Sequence, residues 1–252
     1  MPPAFKRVPA IDKCFAILEL LAKTKKPLGI SDISGRLGLN KSTVFNMVYT
    51  LMDLNVLENQ SDSKFRLGTR FYILGNMAGK RSDLIQIAHS YLENINEQTK
   101  LSAFLGLRSG RHAILIDKVD SAHGIKVSSE IGMQMPVLAG AGIKAMLAQL
   151  SDEDIDEILA RSELKKYTSH SIIDKALYRE EILTVRKQGI AYDREEYIEG
   201  MVAFAIPIKV NGKDLQAAIW AVGLTHHVPE ASIPDLTEFL KGISEEINYR
   251  FQ

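Results

Sequence analysis

The sequence predicts an α+β fold in two parts: a small helical domain ending in a β-hairpin, and a larger domain with an antiparallel sheet flanked by helices. The first part shows apolar residues at helical spacing, interrupted by turn residues. In the second part, strand-like and helical stretches cluster instead of alternating strictly. The formal charge also differs, at +5 for residues 1–70 and −5 for residues 71–252, so we expect only the first part to meet a polyanion.

The composition is that of an ordinary globular protein. Of 252 residues, 46% are hydrophobic and 25% are charged. No uncharged apolar run reaches the roughly 20 residues of a membrane span, the N-terminus lacks the apolar block of a signal peptide, and Cys14 is the only cysteine. We therefore expect a cytoplasmic protein without a membrane partner or an intramolecular disulfide. The histidines lack ligand spacing, so neither a metal site nor a cofactor is predicted.

Residues 9–24 predict a first helix, because apolar residues recur there at steps of three and four. Its buried face is expected to contain Ile11, Phe15, Leu18, Leu21 and Ala22. A second, shorter helix is marked by Ile30, Ile33 and Leu37. Ser31 can cap its N-terminus, and Gly38 supplies the turn that follows.

A third helix is predicted from about Lys41, after the capping residue Asn40. Its inner face should contain Val44, Met47, Val48, Leu51 and Leu54. Two helices joined by a short glycine-containing turn are typical of a helix-turn-helix, whose second helix presents polar groups to base edges and phosphates. The residues predicted to contact DNA are Ser31, Lys41, Ser42, Thr43, Asn46 and Tyr49.

A polar turn then separates Leu57 from a short strand at 65–67, which predicts a β-hairpin wing. Lys64 and Arg66 lie near its arms, where they can meet phosphate. The DNA-binding domain is accordingly assigned to residues 1–68. The alternative is that these polar residues form an ordinary solvated surface.

Residues 69–82 are predicted to form a linker helix, and residues 83–252 the larger domain. Phe71, Leu74 and Met77 share one face of this helix, and the sequence GKRS after it indicates a kink. Because a small domain cannot cover both faces, we expect pairing with a second chain; packing within one subunit is the alternative. A dimer would suit two DNA half-sites about 34 Å apart.

The larger domain shows five strand-like stretches: Ser102–Leu107, Ala113–Val119, Ile125–Ser129, Met201–Val210 and Leu215–Leu224. Its helical patterns are Gly140–Gln149, Asp152–Ala160, Lys175–Gln188 and Ser232–Tyr249. The glycines at 140 and 142 open the first of these helices, where exposed N–H groups could hold a ligand carboxylate. The alternative is that they only permit close helix–sheet packing.

The run LGLNKSTVFNMVYTLMDLNVL, followed by FRLGTRFYILG, resembles the IclR family of bacterial transcription regulators. The segments IGMQMPVLAGAGIKAMLA, VRKQGIAYDREEYIEGMVAFAIPI and LQAAIWAVGL are similar to later blocks of the family, so the resemblance covers roughly residues 8–250. It implies a winged helix-turn-helix and a GAF-like effector domain, with the ligand between the sheet and the helix after the Pro136 loop. It also implies a regulator, not an enzyme, that binds an operator and an effector as a homodimer or dimer of dimers.

The resemblance places the effector near Leu138, Gly140, Ala141, Gly142, Asp193, Ala203, Trp220 and Val222. The chain departs from the family here: a frequent His is Leu138, a Cys is Ala203, and two Ser are Trp220 and Val222. Apolar and aromatic surface thus replaces a polar cage suited to glyoxylate or pyruvate. We expect a larger, less polar effector, such as an aromatic or alicyclic carboxylate or its conjugate. The rival is that Trp220 fills the cavity.

Two other functions stay open on the sequence. Residues Gly140, Gly142 and Ala145 formally fit the G-x-G-x-x-G/A pattern of NAD-binding oxidoreductases. That pattern needs a buried strand before it and an acidic strand end about 20 residues on, whereas Met135-Pro136 interrupts the upstream segment and Asp152–Ala160 shows a helical pattern. No catalytic residues are predicted. The third reading is a DNA-binding scaffold whose sensor domain no longer functions.

Overall fold

The computed structural model describes residues 6–24, 26–60, 63–79, 84–124, 126–136, 138–210 and 215–251. The chain divides into two compact units, residues 1–82 and 83–252. Each unit has a hydrophobic core of its own.

The N-terminal unit is a winged helix-turn-helix, as predicted. Its helices are α1 (Pro9–Lys23), α2 (Ile30–Leu37), α3 (Lys41–Asp53) and α4 (Thr69–Gly79). Its strands are β1 (Leu28–Gly29), β2 (Leu57–Gln60) and β3 (Lys64–Leu67), in the order β1-β3-β2. The two-residue β1, which pairs Leu28 with Phe65, was too short to be predicted.

The buried face of α1 differs from the prediction. Ile11 and Phe15 are 55% and 57% exposed, and Ala22 is also exposed. Ile17 is buried instead, together with Leu18 and Leu21. The sequence offers two apolar stripes at helical spacing, and only tertiary packing selects the one that begins at Cys14. On the third helix, Val44, Val48 and Leu51 are buried as expected, but Leu54 lies after the helix end and is exposed.

The capping of α2 and α3 also differs from the prediction. Gly29, not Ser31, precedes the first residue of α2, and its N–H donates to Asp32 Oδ2 at 3.0 Å. Asn40 does precede α3, but its side chain makes no capping hydrogen bond. Gly38 ends α2 in the left-handed region, with φ 63°, as its place in the predicted turn requires.

The C-terminal unit has an antiparallel sheet with helices on both faces, which confirms the α+β prediction. Its helices are α5 (Leu84–Thr99), α6 (Ala141–Leu147), α7 (Asp152–Ala160), α8 (Lys175–Gln188) and α9 (Ile233–Arg250). Its strands are β4 (Ser102–Ser109), β5 (His112–Val119), β6 (Ala191–Arg194), β7 (Met201–Lys209) and β8 (Gln216–Leu224), in the order β5-β4-β8-β7-β6.

The sheet separates two cores. Successive side chains of a strand point to opposite faces, so Ile219 joins the core formed with α5 and α9, whereas Trp220 joins the core formed with α6, α7 and α8. Because both faces of β8 are covered, Ala217 to Gly223 are all buried. This explains why the strand reads as a continuous apolar run.

Three element predictions in this unit were wrong or incomplete. Residues 126–129 form no strand, since their segment is held by irregular contacts such as the 2.7 Å hydrogen bond from Ser102 Oγ to Val127 O. Strand β6 was missed because its sequence, AYDR, is short and half polar. Helix α6 is seven residues long, shorter than predicted. The kink at residues 80–82 and the side chain of Met77 lie outside the described residues.

No helix within the described ranges is both long and apolar enough to cross a membrane.

Gly38 provides a test of the turn between α2 and α3. A Cβ at this position would meet no atom within 4 Å, so the cost of Gly38→Ala is that of its positive φ. We expect a loss of about 1 kcal/mol in the free energy of unfolding of the N-terminal unit, measured by urea denaturation. Gly35→Ala, inside α2 with equally open space, is the control and should stabilise by up to about 1 kcal/mol. Equal effects of the two substitutions would contradict this account.

Candidate functional site

The turn between α2 and α3 fixes the orientation of the third helix. Ser34 Oγ donates to the carbonyl oxygen of Leu39 at 2.6 Å, and the Leu39 N–H donates to the Ser34 carbonyl at 3.2 Å. Val44 and Val48 anchor the inner side of α3 in the core. The side of α3 that points away from this core is therefore presented in a defined orientation.

The polar residues singled out on α3 lie on this outward side. Lys41, Ser42, Asn46 and Tyr49 are exposed, and Thr43 is half-buried. The residues form one surface with hydroxyl, amide and ammonium groups, which are the groups that can bond base edges and phosphates.

Sequence reasoning missed Phe45, which belongs to the same surface. Its side chain is 48% exposed, and its ring centroid lies 4.4 Å from that of Tyr49. Tyr49 in turn packs edge-on against the buried Phe65 of the wing, at 6.1 Å. The signal was present in the sequence, because Phe45 falls outside the inner stripe of Val44 and Val48. An exposed apolar ring on this helix can contact the methyl group of thymine.

Ser31 is exposed and is the second residue of α2, a different helix from the one that carries Lys41 to Tyr49. On the wing, Lys64 and Arg66 are exposed on β3. Arg66 Nη2 lies 3.2 Å from Glu58 Oε2 on the neighbouring strand. The pKa of Glu58 is lowered, first by the N–H that Thr69 donates at 2.9 Å and then by Arg66. The charge of Arg66 is therefore partly balanced before any DNA is bound.

The C-terminal unit contains a cavity of about 340 Å³ between the sheet, the start of α6 and two connecting segments. It includes seven of the eight residues predicted to hold an effector: Gly140, Ala141, Gly142, Asp193, Ala203, Trp220 and Val222. The rest of its wall is largely apolar, formed by Phe104, Ala113, Val127, Met133, Met135, Ala139, Ile143, Ile198, Met201, Val202 and Leu224, with Lys126, Ser128, Ser129 and Tyr197. Leu138 is buried and lines a separate small cavity beside Tyr178.

Trp220 forms a wall of the cavity. Its indole is 5% exposed and packs edge-on against Phe104 at 5.9 Å. A Cβ added at Gly106 would lie 2.6 Å from Cη2 of the indole, and one at Gly142 would lie 3.0 Å from Cε3. Gly142 thus permits the close helix–sheet packing that the sequence left open.

Asp193 brings a buried carboxyl group to the cavity. It is 7% exposed, and its Oδ1 accepts the backbone N–H of Glu196 at 2.7 Å. Burial raises the pKa of Asp193, although the N–H donors and Lys144 partly oppose the shift. Asp193 is therefore poised to carry a proton more readily than an exposed aspartate.

Next to this wall lies a buried ion cluster that the sequence did not reveal. Lys144 on α6 is fully buried, and its Nζ lies 2.6 Å from Glu196 Oε1, 2.9 Å from the Tyr192 carbonyl oxygen and 3.4 Å from Glu181 Oε1. Burial raises the pKa of Glu196, against the opposing effect of Lys144. The only hint in the sequence is a lysine within the apolar stretch AGIKAML.

The raised pKa of Asp193 gives a prediction for stability. A carboxyl whose pKa is higher in the folded than in the unfolded state costs stability when ionised, and this cost fades as the pH falls through the folded-state pKa towards the ordinary value of 3.8. We expect Asp193→Asn to melt at a higher temperature than the wild type at pH 7 to 8, with a difference that shrinks on acidification. Glu245→Gln, an exposed change on α9, is the control and should leave the melting temperature at pH 7 to 8 close to that of the wild type. A lower melting temperature for Asp193→Asn at every pH would contradict the assignment.

The dinucleotide-binding alternative is wrong. Its fingerprint needs a strand that leads directly into the helix in a parallel sheet. Here the sheet is antiparallel, and residues 126–136 and 138–140 before α6 form no strand.

Comparison with known proteins agrees with this geometry. Residues 10–61 match the model of the IclR helix-turn-helix domain, and residues 77–249 match that of the bacterial transcriptional regulator IclR C-terminal domain. The HTH-type transcriptional regulator XynR of Escherichia coli (strain K12) is 26% identical over 93% of both chains. The solved IclR of Thermotoga maritima is 25% identical with a TM-score of 0.76, covering 97% of this chain and 99% of that one.

A further similar structure is that of an IclR homolog from Microbacterium hydrocarbonoxydans, solved in complex with 4-hydroxybenzoate. It is 21% identical, with a TM-score of 0.78 over 95% of this chain and 99% of that chain. XynR is a transcriptional regulator, the C-terminal family model is that of a bacterial transcriptional regulator, and the two family models together span most of the sequence. The chain is therefore a regulator rather than an enzyme, and it belongs to the IclR family of bacterial transcription regulators.

Proposed function

We propose that this regulator reads a duplex operator with the outward face of α3, and that an effector with a ring occupies the cavity beside Trp220. The observation that carries the proposal is that one chain contains both an exposed polar helix face in a winged helix-turn-helix and a largely apolar cavity.

The roles on the DNA side follow from chemistry and position. Asn46 and Phe45 lie on the exposed face of α3, where an amide can bond adenine and a ring can touch thymine. Lys41, Ser42 and Thr43, in the first turn of α3, and Tyr49 further along can bond phosphates or bases. Contacts that position the protein on phosphate are proposed for Ser31, Lys64 and Arg66.

We further propose a dimer as the DNA-binding form, or a dimer of dimers. Two helices of the N-terminal unit expose apolar side chains: Val8, Ile11 and Phe15 at α1, and Phe71, Ile73 and Leu74 on α4. Apolar side chains in such number on two helices of a small unit favour burial against another copy of the chain. Two copies would also match the two-fold symmetry of paired half-sites.

The cavity favours an effector with a ring. An apolar cavity of about 150 Å³ holds benzene, so about 340 Å³ leaves room for one ring with substituents. The indole of Trp220 supplies a flat wall, against which a ring can pack edge-on or offset. The relative solved with 4-hydroxybenzoate offers one such molecule for testing.

A carboxylate group of the effector can lie beside Asp193 only if a proton is held between the two carboxyl groups. The raised pKa of Asp193 favours this arrangement, because a protonated Asp193 can donate a hydrogen bond to the anion. An aromatic or alicyclic carboxylate, or its conjugate, is therefore the proposed class. Such an effector would alter DNA affinity only through its different affinities for two arrangements of the protein, and DNA would alter effector affinity by the same factor.

The DNA side is tested by two substitutions that should act differently. Arg66→Ala should weaken binding to every duplex and reduce the salt dependence by about one counterion. Asn46→Ala should instead change the preference between duplexes, by about 1–3 kcal/mol at the base pair it contacts. Fluorescence anisotropy against several duplexes and salt concentrations separates the two effects. Lys241→Ala, in the C-terminal unit, is the control and should change neither the DNA affinity nor the preference between duplexes. If Arg66→Ala and Asn46→Ala both bind DNA as the wild type does, neither residue contacts DNA.

The effector side is tested with the fluorescence of Trp220, the only tryptophan, supported by calorimetry. 4-Hydroxybenzoate and cyclohexanecarboxylate should bind, and glyoxylate should not. Ala203→Leu, which places three more carbons in the cavity, should weaken binding at least about tenfold by overfilling it. Ala176→Leu, exposed on α8, is the matched control. Binding of glyoxylate without binding of either ring-containing acid would contradict the proposed effector class. Selective DNA binding without binding of any tested acid would favour the hypothesis of a DNA-binding scaffold.

A further inference from the structure

We infer that Lys144 is a positioning residue for the cavity, and that its buried ammonium group holds the loop at residues 195–200 in place as part of the cavity wall. The inference rests on the proposed function in one respect: the position of this wall matters for regulation only if a ligand occupies the cavity. Lys144 itself is not among the residues that line the cavity.

The ammonium group joins four elements. Lys144 lies on α6, and its side chain is fully buried. Its Nζ contacts the carbonyl oxygen of Tyr192 on β6 and the carboxylates of Glu181 on α8 and Glu196 in the loop. The shortest of these contacts, 2.6 Å, is the one to the loop. A charge-assisted bond of this length is among the stronger polar contacts in a protein.

The loop follows β6, whose Asp193 faces the cavity, and returns to β7. Tyr197 and Ile198 of the loop form part of the cavity wall. Directly before them, the Glu196 N–H donates to Asp193 Oδ1 at 2.7 Å. Glu196 is thus tied at its backbone to the proposed effector-binding acid and at its side chain to Lys144.

Other hydrogen bonds hold the two ends of the loop. Ser171 Oγ donates to the Glu196 carbonyl oxygen at 2.7 Å, and Thr168 Oγ1 donates to that of Glu195 at 2.7 Å. The carboxylate of Glu195 accepts the Gly200 N–H at 2.7 Å. These contacts fix residues 195, 196 and 200, and the Lys144 contact adds a direct tie between the loop and α6, a helix that also lines the cavity.

A buried ion pair is a poor source of stability, since well-packed apolar residues at the same place are often as stable or more so. We therefore explain the buried ammonium group of Lys144 by its effect on structure: it favours one position of the loop at residues 195–200. That position sets Tyr197 and Ile198 against the cavity and keeps Asp193 oriented.

The test uses the full chain with Lys144→Met, Glu196→Gln and both changes together, and needs no effector. Lys144→Met alone should melt at a lower temperature, because it leaves the half-buried carboxylates of Glu181 and Glu196 without their cation, and the double variant should recover part of the loss. Acrylamide quenching of Trp220 reports access to the cavity, and hydrogen exchange reports opening of the loop.

If Lys144 positions the loop, the double variant should keep faster quenching and about tenfold faster exchange of the Glu196 and Tyr197 amides, the effect of losing one hydrogen bond to a charged group. Wild-type quenching and exchange in the double variant would overturn the inference and leave Lys144 as a balancing charge. Glu196→Ala alone, which removes the acceptor of the Lys144 contact, gives the same readout if neither Lys144 variant folds. Arg179→Met, which removes the surface pair with Asp156, should leave both readouts unchanged.

Because acrylamide and solvent deuterium are the only probes, a negative result would leave the effector proposal intact. Conversely, failure of the tested acids to bind would leave the quenching and exchange results valid as a measure of loop position.

Discussion

The packing of the Trp220 indole between the sheet and α6 is the contact on which the cavity of the C-terminal unit depends. Gly106 and Gly142 both lie against the ring: a Cβ at Gly106 would collide with it, and a Cβ at Gly142 would crowd it at 3.0 Å. The indole therefore sets how closely α6 approaches the sheet, and the space left beside it is the cavity. The same helix carries Lys144, so the apolar wall and the buried ion cluster are positioned by one seven-residue element.

The two units differ in the kind of surface that they present. Helix α3 presents exposed polar groups from a core shared with α1 and α2, and such groups can bond phosphates and base edges. The cavity of the C-terminal unit differs from this exposed polar face, because its wall is mainly apolar. The carboxyl group of Asp193 is buried in that wall, and burial favours its protonated form. A small polar metabolite gains little in such a cavity, whereas a ring is favoured there because its apolar surface is removed from water.

Much of this arrangement could be predicted from the sequence. The helical stripes of α2 and α3, the Gly38 turn and the charge difference between the parts are local patterns, and the resemblance to the family located the cavity. The burial of Ile17 rather than Phe15, and the strand β6, depend on tertiary packing that periodicity cannot rank. The Lys144–Glu196 contact joins residues 52 positions apart, so no local pattern could reveal it. Phe45 was overlooked because only the polar residues of the third helix were considered as DNA contacts.

The central claim, that α3 reads duplex DNA, is tested most directly by incubating the full chain with a randomised duplex pool and sequencing what it retains. The account predicts enrichment of a short sequence with approximate two-fold symmetry, and loss of that preference when Asn46 and Phe45 are both replaced by alanine. Retention of duplexes without any sequence preference, with and without a metabolite extract, would contradict it.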